Sequence, residues 1–352
     1  MKDEAISTSQ DDMTDNTPSP NFTGLDIPIL HVNSHPAGWK PEARSSDPHK
    51  YLFDLYYANF HVTHSWLPPR NTLVRLLETE PDALEFPVAA ILYIGSLYTN
   101  IDSTSLRKRA YELSSRPFSS TIWSVQALLS ISIAAFGEQH NDISATIFDR
   151  AHDLACRLGL QHKSFADGEK DPVLAESSRR TYWALYIHGS LRALRENSGH
   201  SQLYSIGAST ELPCEEWDYQ AGEIPTPVTL EEYDRMGRSR EYSSWAYFVD
   251  LMRLCGEYVV PLLNFWSETD LDSLERADSK IESWRFQLRN WRRDHVDPDG
   301  MGDMILYHAL GVSYGRPEKI GRNLAQVKSG LGRDRQCGYD DDDWCTRTNL
   351  AE

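Results

Sequence analysis

From residue 48 onward, apolar side chains recur at helical spacing in one segment after another. Leu52, Leu55, Tyr56, Asn59 and Phe60 follow the i, i+3, i+4, i+7, i+8 rhythm of one helix face. That rhythm predicts an amphipathic helix closed near Pro68 and Pro69. Asn71 stands where an N-cap is useful, ahead of Leu73, Leu76 and Leu77 on a second helix, and 86–98 reads as a third. In 121–136, Ile122, Val125, Leu128, Leu129, Ser132 and Ile133 sit at helical spacing with small Ser and Ala between them, which predicts a buried helix. Asp142 or Ser144 is the expected cap of the next one, whose stripe of Ala151, Leu154, Ala155 and Leu158 stops at Gly159, an αL C-cap. A further helix is expected over 178–195.

Pro213, Gly222, Pro225 and Pro227 then punctuate a stretch that reads as a long loop, and its length invites a functional or linker role. Beyond it Trp245, Phe248, Val249, Met252, Cys255 and Val259 make another helical stripe. Leu274, Ile281 and Leu288, with Ala277, Trp284 and Trp291, recur every seven residues like an a/d seam. No sustained period-two alternation and no long repeat is visible, so an all-α fold of seven to nine helices is the expectation: an irregular multi-helix domain. Residues 1–46, rich in Ser, Thr, Asp, Asn and Pro, read as a disordered leader; 47–310 form the helical domain; 311–352 form an irregular tail. The apolar pattern dissolves after Tyr307. Val312 and Ser313 fit the codons of a GTGAGT splice donor, so the tail reads either as an artefact of gene prediction, translated intron or shifted frame, or as a natural disordered tail.

Composition narrows the function classes. A net charge of -17 over 352 residues opposes general nucleic-acid binding, which needs a concentrated Lys and Arg surface. The basic clusters Arg107, Lys108, Arg109, then Arg179, Arg180, then Arg289, Arg292, Arg293 are short and read as solvated helix faces. Five scattered cysteines and no basic segment followed by an apolar run suggest a reducing intracellular setting. No run approaches the roughly 18–20 apolar residues of a membrane helix, so no membrane association is expected.

Candidate chemistry is sparse. His61 and His64, three apart on a helix, have no Glu between them and no evident third ligand, so they read as ordinary helix histidines. His31 and His35 lie in the Pro-rich leader. Cys337 and Cys345 flank the acidic run 340–343 at a spacing that fits no zinc module. Phosphate-cradling loops and nucleophile elbows are lacking. No catalytic, cofactor-binding, metal or DNA-binding residue is assigned, and no enzyme is expected. The rival reading places a small-molecule enzyme site among Trp183, Tyr186 and the aromatics near Trp245.

Five phrases in order carry a resemblance: "LFDLYYANFHVTHSWLP" (52–68), "TIWSVQALLSISIAAFG" (121–137), "AHDLACRLGLQHKS" (151–164), "ESSRRTYWALYIHGS" (176–190) and "ELPCEEW" (211–217). Together they resemble the regulatory domain, or middle homology region, of fungal-specific transcription factors. That resemblance implies a helical body that modulates transcription in the nucleus, commonly over a metabolic or secondary-metabolite gene cluster, in many members by responding to a small-molecule effector or to partners. Family members contact DNA elsewhere, through a six-cysteine zinc cluster or paired Cys and His fingers. Here the first cysteine is Cys156, so no thiolate zinc cofactor and no direct DNA contact are expected of this chain. Partners are expected to be other transcription factors or a second copy, and a non-DNA-binding module restraining a homologous factor through the 274–291 seam is the alternative.

Overall fold

The structure, a computed structural model, describes residues 47–196, 207–265, 271–288 and 302–314. The leader 1–46, Trp291, Arg289, Arg292, Arg293 and the tail beyond Tyr314 lie outside the described residues, as do His31, His35, Cys337 and Cys345. Among the described residues every regular element is helical, and the nearest approach to a sheet is one isolated antiparallel bridge, Leu212 to Val228.

The first helix, α1 (Pro48–Leu55), starts at Asp47, whose carboxylate accepts from the His49 backbone, and widens into a π-helical stretch at Tyr56–Phe60. α2 (Arg70–Thr79) and α3 (Glu85–Ser96) follow; α3 packs on α1. α4 (Thr104–Ser115) bears Arg107 and Arg109, which pair with Glu138 and Glu85. α5 (Ile122–Gly137), capped by Thr121, is buried on nearly every side and folds back against α6 (Asn141–Leu158) as a helical hairpin. Gly159 ends α6 at φ +84°, the left-handed stop that its residue type predicts.

After the short α7 (Lys163–Asp167) comes α8 (Pro172–Glu196), the longest helix, which touches α5 and α7 on one side and α11 (Ser244–Leu254) and α12 (Val260–Phe265) on the other. A second π-helical stretch, Cys255–Val259, joins α11 to α12. α13 (Leu271–Gln287) and α14 (Met304–Tyr314) close over α11.

Several expectations are corrected. Asn71 does not cap α2: Pro69, with ψ 147°, makes the extended entry, and the Leu73 amide already bonds the Pro69 carbonyl, which leaves Asn71 inside the first turn. α6 begins at Asn141, ahead of Asp142 and Ser144, because Gln139 takes a positive φ of 65° and the His140 amide bonds the Ala135 carbonyl. The supposed long loop holds α9 (Glu216–Ala221) and α10 (Leu230–Met236), each ended by a positive-φ glycine, Gly222 and Gly237. The helical pattern does not dissolve after Tyr307, since α14 runs on to Tyr314 and buries Ile305, Leu306, Ala309, Leu310 and Ser313. The heptad seam is already occupied within the chain. Ala277, Ile281, Trp284 and Leu288 are buried, and the Trp284 indole donates to the Tyr247 carbonyl at 3.0 Å.

One glycine sets the spacing of this body. A Cβ on Gly95 of α3 would fall inside the van der Waals envelope of the Leu52 carbonyl on α1. The two helices therefore pack at a distance only glycine permits, and Gly95→Ala is expected to cost about 3 kcal/mol or more of stability through forced separation of α1 and α3. A urea unfolding midpoint unchanged from the parent chain would contradict this.

Candidate functional site

Two arrangements share α8. The first is built on "ESSRR". A solvated face was expected for Arg179 and Arg180, but both guanidinium groups are buried, Arg180 completely. The Arg180 Nε donates to Glu176 Oε1 at 3.0 Å, Nη1 to Ser65 Oγ at 2.8 Å and to Glu216 Oε2 at 2.5 Å, and Nη2 to the Cys214 and Glu215 carbonyls at 3.0 and 3.2 Å. Its Cζ lies 3.9 Å above the Tyr219 ring. Glu176 Oε1 also accepts the Cys214 amide at 2.9 Å. Arg179 reaches Glu211 Oε2 at 3.2 Å, and Lys163 holds the other Glu211 oxygen. Burial works against the charge of Arg180, while Glu216 and Glu176 more than offset it and raise its pKa. Burial opposes the Glu216 charge too, yet Arg180 keeps that carboxyl below its ordinary value. This is a satisfied network, with every nitrogen of Arg180 used.

The network clasps a buried, non-helical strap at 65–69. Four of its carbonyls have partners: Trp66 accepts from Gln126 and Ser177, Leu67 from Tyr219, Pro68 from Tyr57, and Pro69 from the Leu73 amide. The Trp66 indole donates to Ser130 at 3.0 Å. A polar Gln126 at the centre of an apolar helix thus has a structural task.

The second arrangement is a cavity of about 80 Å³ running along the next face of α8. Ala184, Ile187, His188, Leu191, Arg192 and Arg195 line it at the i, i+3, i+4, i+7, i+8, i+11 positions of one face, so it follows α8 for about 16 Å. Opposite stand His64, Ser132, Trp245, Phe248, Ile305 and His308. The His64 ring centroid lies 5.6 Å from that of His188 and 6.1 Å from that of His308. Burial lowers all three: His188 to about 3, His308 to about 4, and His64 well below the ordinary value, with repulsion from His188 and His308 adding to the effect. At neutral pH the inner wall is therefore aromatic and uncharged. The charged groups on the lining are Arg192 and Arg195, both partly exposed and therefore at the mouth. Arg192 pairs with Asp149 and Glu196, and Arg195 with Glu196 while lying 4.0 Å over the Phe136 ring.

Two of the residues that line the cavity, Trp245 and His308, hold a buried nitrogen, Nε1 and Nε2, with no hydrogen-bond partner among the described residues. His61 and His64 do not face one site: His61 Nε2 meets the Gln220 amide at 3.1 Å beside Glu216, while His64 turns to the cavity. Among the described residues no trio of His, Cys, Asp or Glu is placed to hold a metal ion. The aromatic group considered as an enzyme site does not assemble. Trp245 lines the cavity, whereas Trp183 gives its indole N–H to the Glu211 carbonyl and neither it nor Tyr186 is on the wall.

The profile of the fungal-specific transcription factor domain matches residues 51–293, more than half of the chain. The chain belongs to this family. The C6 finger domain transcription factor iacK of Pestalotiopsis fici is 28% identical over 330 residues, covering 90% of this chain and 48% of the relative. The chain thus spans about half the length of the curated relative it matches, and that similarity continues past the helical body into the flanking sequence. No solved structure matches. In this domain four of the five phrases that carried the resemblance form or meet α8, and the third packs behind α5. The first supplies the strap and His64, the second Gln126, Ser130 and Ser132, the third the helix paired with α5, the fourth Glu176 to His188, and the fifth the Glu211 to Glu216 clasp. Among the described residues no helix is long and apolar enough to cross a membrane.

Two predictions follow from the charges. Arg180→Met takes the guanidinium from Glu176 Oε1 and Glu216 Oε2, leaving Glu176 with Arg179 at 3.4 Å and the Cys214 amide, and is expected to lower stability by about 3–5 kcal/mol in urea unfolding. Adding Glu176→Gln is expected to recover part of that loss, and equal loss in the single and double variants would contradict the pairing. For the histidines, the ordinary value is 6.5, while His61 and His308 sit near 4 and His188 near 3. Below pH 6.5 the unfolded chain takes up protons that the fold refuses, so this stability is complete above about pH 7 and drains as the pH falls. The expected slope is on the order of 1 kcal/mol per histidine per pH unit between pH 6 and 5. Urea midpoints at pH 7.5 and pH 5 check it, and a flat profile would count against it.

Proposed function

We propose that this chain acts in the nucleus as a transcriptional regulator of a set of metabolic genes, and that its helical domain gates that activity by admitting a small molecule along α8. Membership of the fungal-specific transcription factor domain family carries the regulatory reading. The cavity carries the gating reading, because it is space a ligand can enter, and two of the residues that line it, Trp245 and His308, each hold a buried nitrogen without a hydrogen-bond partner among the described residues. Sequence contact with DNA is assigned to a polypeptide other than the residues present here: only five cysteines occur, the first at Cys156, and the net charge is -17. Control of a secondary-metabolite gene cluster remains the favoured setting. Partner contact, with another transcription factor or a second copy, is assigned to helical surfaces other than the α13 stripe, which the chain itself covers.

The test tethers the full chain to a heterologous DNA-binding domain upstream of a reporter. The expected outcome is a severalfold change in reporter output, with no site-specific retention of DNA by the purified chain alone. An unchanged reporter would overturn the regulatory reading, and tight, sequence-specific binding by the untethered chain would overturn the assignment of DNA contact elsewhere.

A further inference from the structure

We propose that the cavity along α8 is a site for a small aromatic carboxylate of one ring, held with its ring between Trp245 and Leu191 and its acid group at Arg195. This inference rests on the gating reading and names its ligand. Charge comes first. Among the described residues no Asp or Glu lines the cavity, while Arg192 and Arg195 do; their partners Asp149 and Glu196 stand outside the lining and offset the net charge, so the pull on an anion is the local one of the Arg195 guanidinium. The partial exposure of Arg195 keeps it reachable from solvent, and its present partner, Glu196, is a neighbour in sequence on the helix surface that a ligand carboxylate can share or replace.

The interior decides what the anion carries. Its histidines are neutral at physiological pH, so the inner wall offers hydrogen bonds and aromatic faces but no charge. An acid group placed there would lose its hydration without a counter-ion, whereas a ring would not. The indole N–H of Trp245 is an unused donor, and His308 Nε2 is an unused imidazole nitrogen. Leaving such groups unpaired in a buried wall is costly, and a ring hydroxyl, able both to accept and to donate, has the chemistry to satisfy them. Size favours the smallest ring. At about 80 Å³ the cavity is smaller than the ~150 Å³ of one that admits benzene, so one ring enters with side-chain movement at the mouth, and a fused second ring demands correspondingly more.

The experiment titrates the purified full chain calorimetrically with 4-hydroxybenzoate, phenol, benzylamine and 2-naphthoate. The expected result is saturable one-to-one binding of 4-hydroxybenzoate, roughly tenfold tighter than phenol, with weaker binding of benzylamine and 2-naphthoate. Arg195→Gln, a change at a partly exposed position, is expected to bring 4-hydroxybenzoate down to the affinity of phenol and to leave phenol unaffected, with an unchanged helical circular dichroism spectrum. No saturation by millimolar 4-hydroxybenzoate, equal affinity for benzylamine, or an affinity unmoved by Arg195→Gln overturns the proposal. The tethered reporter separates the two readings. Binding that Arg195→Gln weakens, with a reporter indifferent to the ligand, overturns gating and keeps the site; a working reporter with no binding overturns the site and keeps the regulator.

Discussion

A fully buried guanidinium governs the architecture. Removing Arg180 from water is costly unless each of its donors finds an acceptor, and the acceptors come from three separate places in the chain: Glu176 one turn earlier, Ser65 in the strap, and the run 214–216, which gives the Cys214 and Glu215 carbonyls and the Glu216 carboxylate at the start of α9. None of these can move far without stranding charge. The strap, α9 and α8 are therefore fixed relative to one another by electrostatic necessity, and the apolar packing of α5, α6 and α11 is arranged around that fixed point. A network of this kind contributes less to net stability than to choosing one arrangement among many compact ones.

Helix identity was largely legible because period-3.6 patterning survives wherever one face meets the core, as in α6 and α11. What was not legible follows from the same physics. "RR" beside an acidic residue looks identical in sequence whether the arginines meet water or a folded-back loop, since the burial of Arg179 and Arg180 is decided by residues about thirty positions away. The stretch around Pro213 and Pro225 read as loop because α9 and α10 are too short to show a period, although Gly222 and Gly237 mark their ends. The stripe of 274–288 was recognised as apolar, but nothing local states whether its partner is α11 of the same chain or another molecule.

The cavity was missed for a more specific reason. Position 188 and positions 192 and 195 continue the buried face of α8 at helical spacing, yet they carry His and Arg where Ile187 and Leu191 keep to apolar chemistry. Polar residues in register with a core stripe are the available signal, and it becomes decisive only when His64 and His308, far apart in sequence, arrive opposite. The aromatic group of the rival reading divides for a similar reason: the Trp183 indole is spent on the backbone of Glu211, while Trp245 lines the cavity.

α8 has, finally, a mechanical character. Its first three turns are held by Arg179 and Arg180 to groups on either side, while the turns from His188 to Arg195 border empty space. Those later turns are tied too, but more loosely: Arg192 reaches Asp149 and the Ala145 carbonyl on α6, while Ala193 and Leu194 are buried on the other face. One end of α8 is thus fastened by buried, saturated bonds and the other by ion pairs that water already reaches, so a guest in the cavity has only the exchangeable ties to compete with.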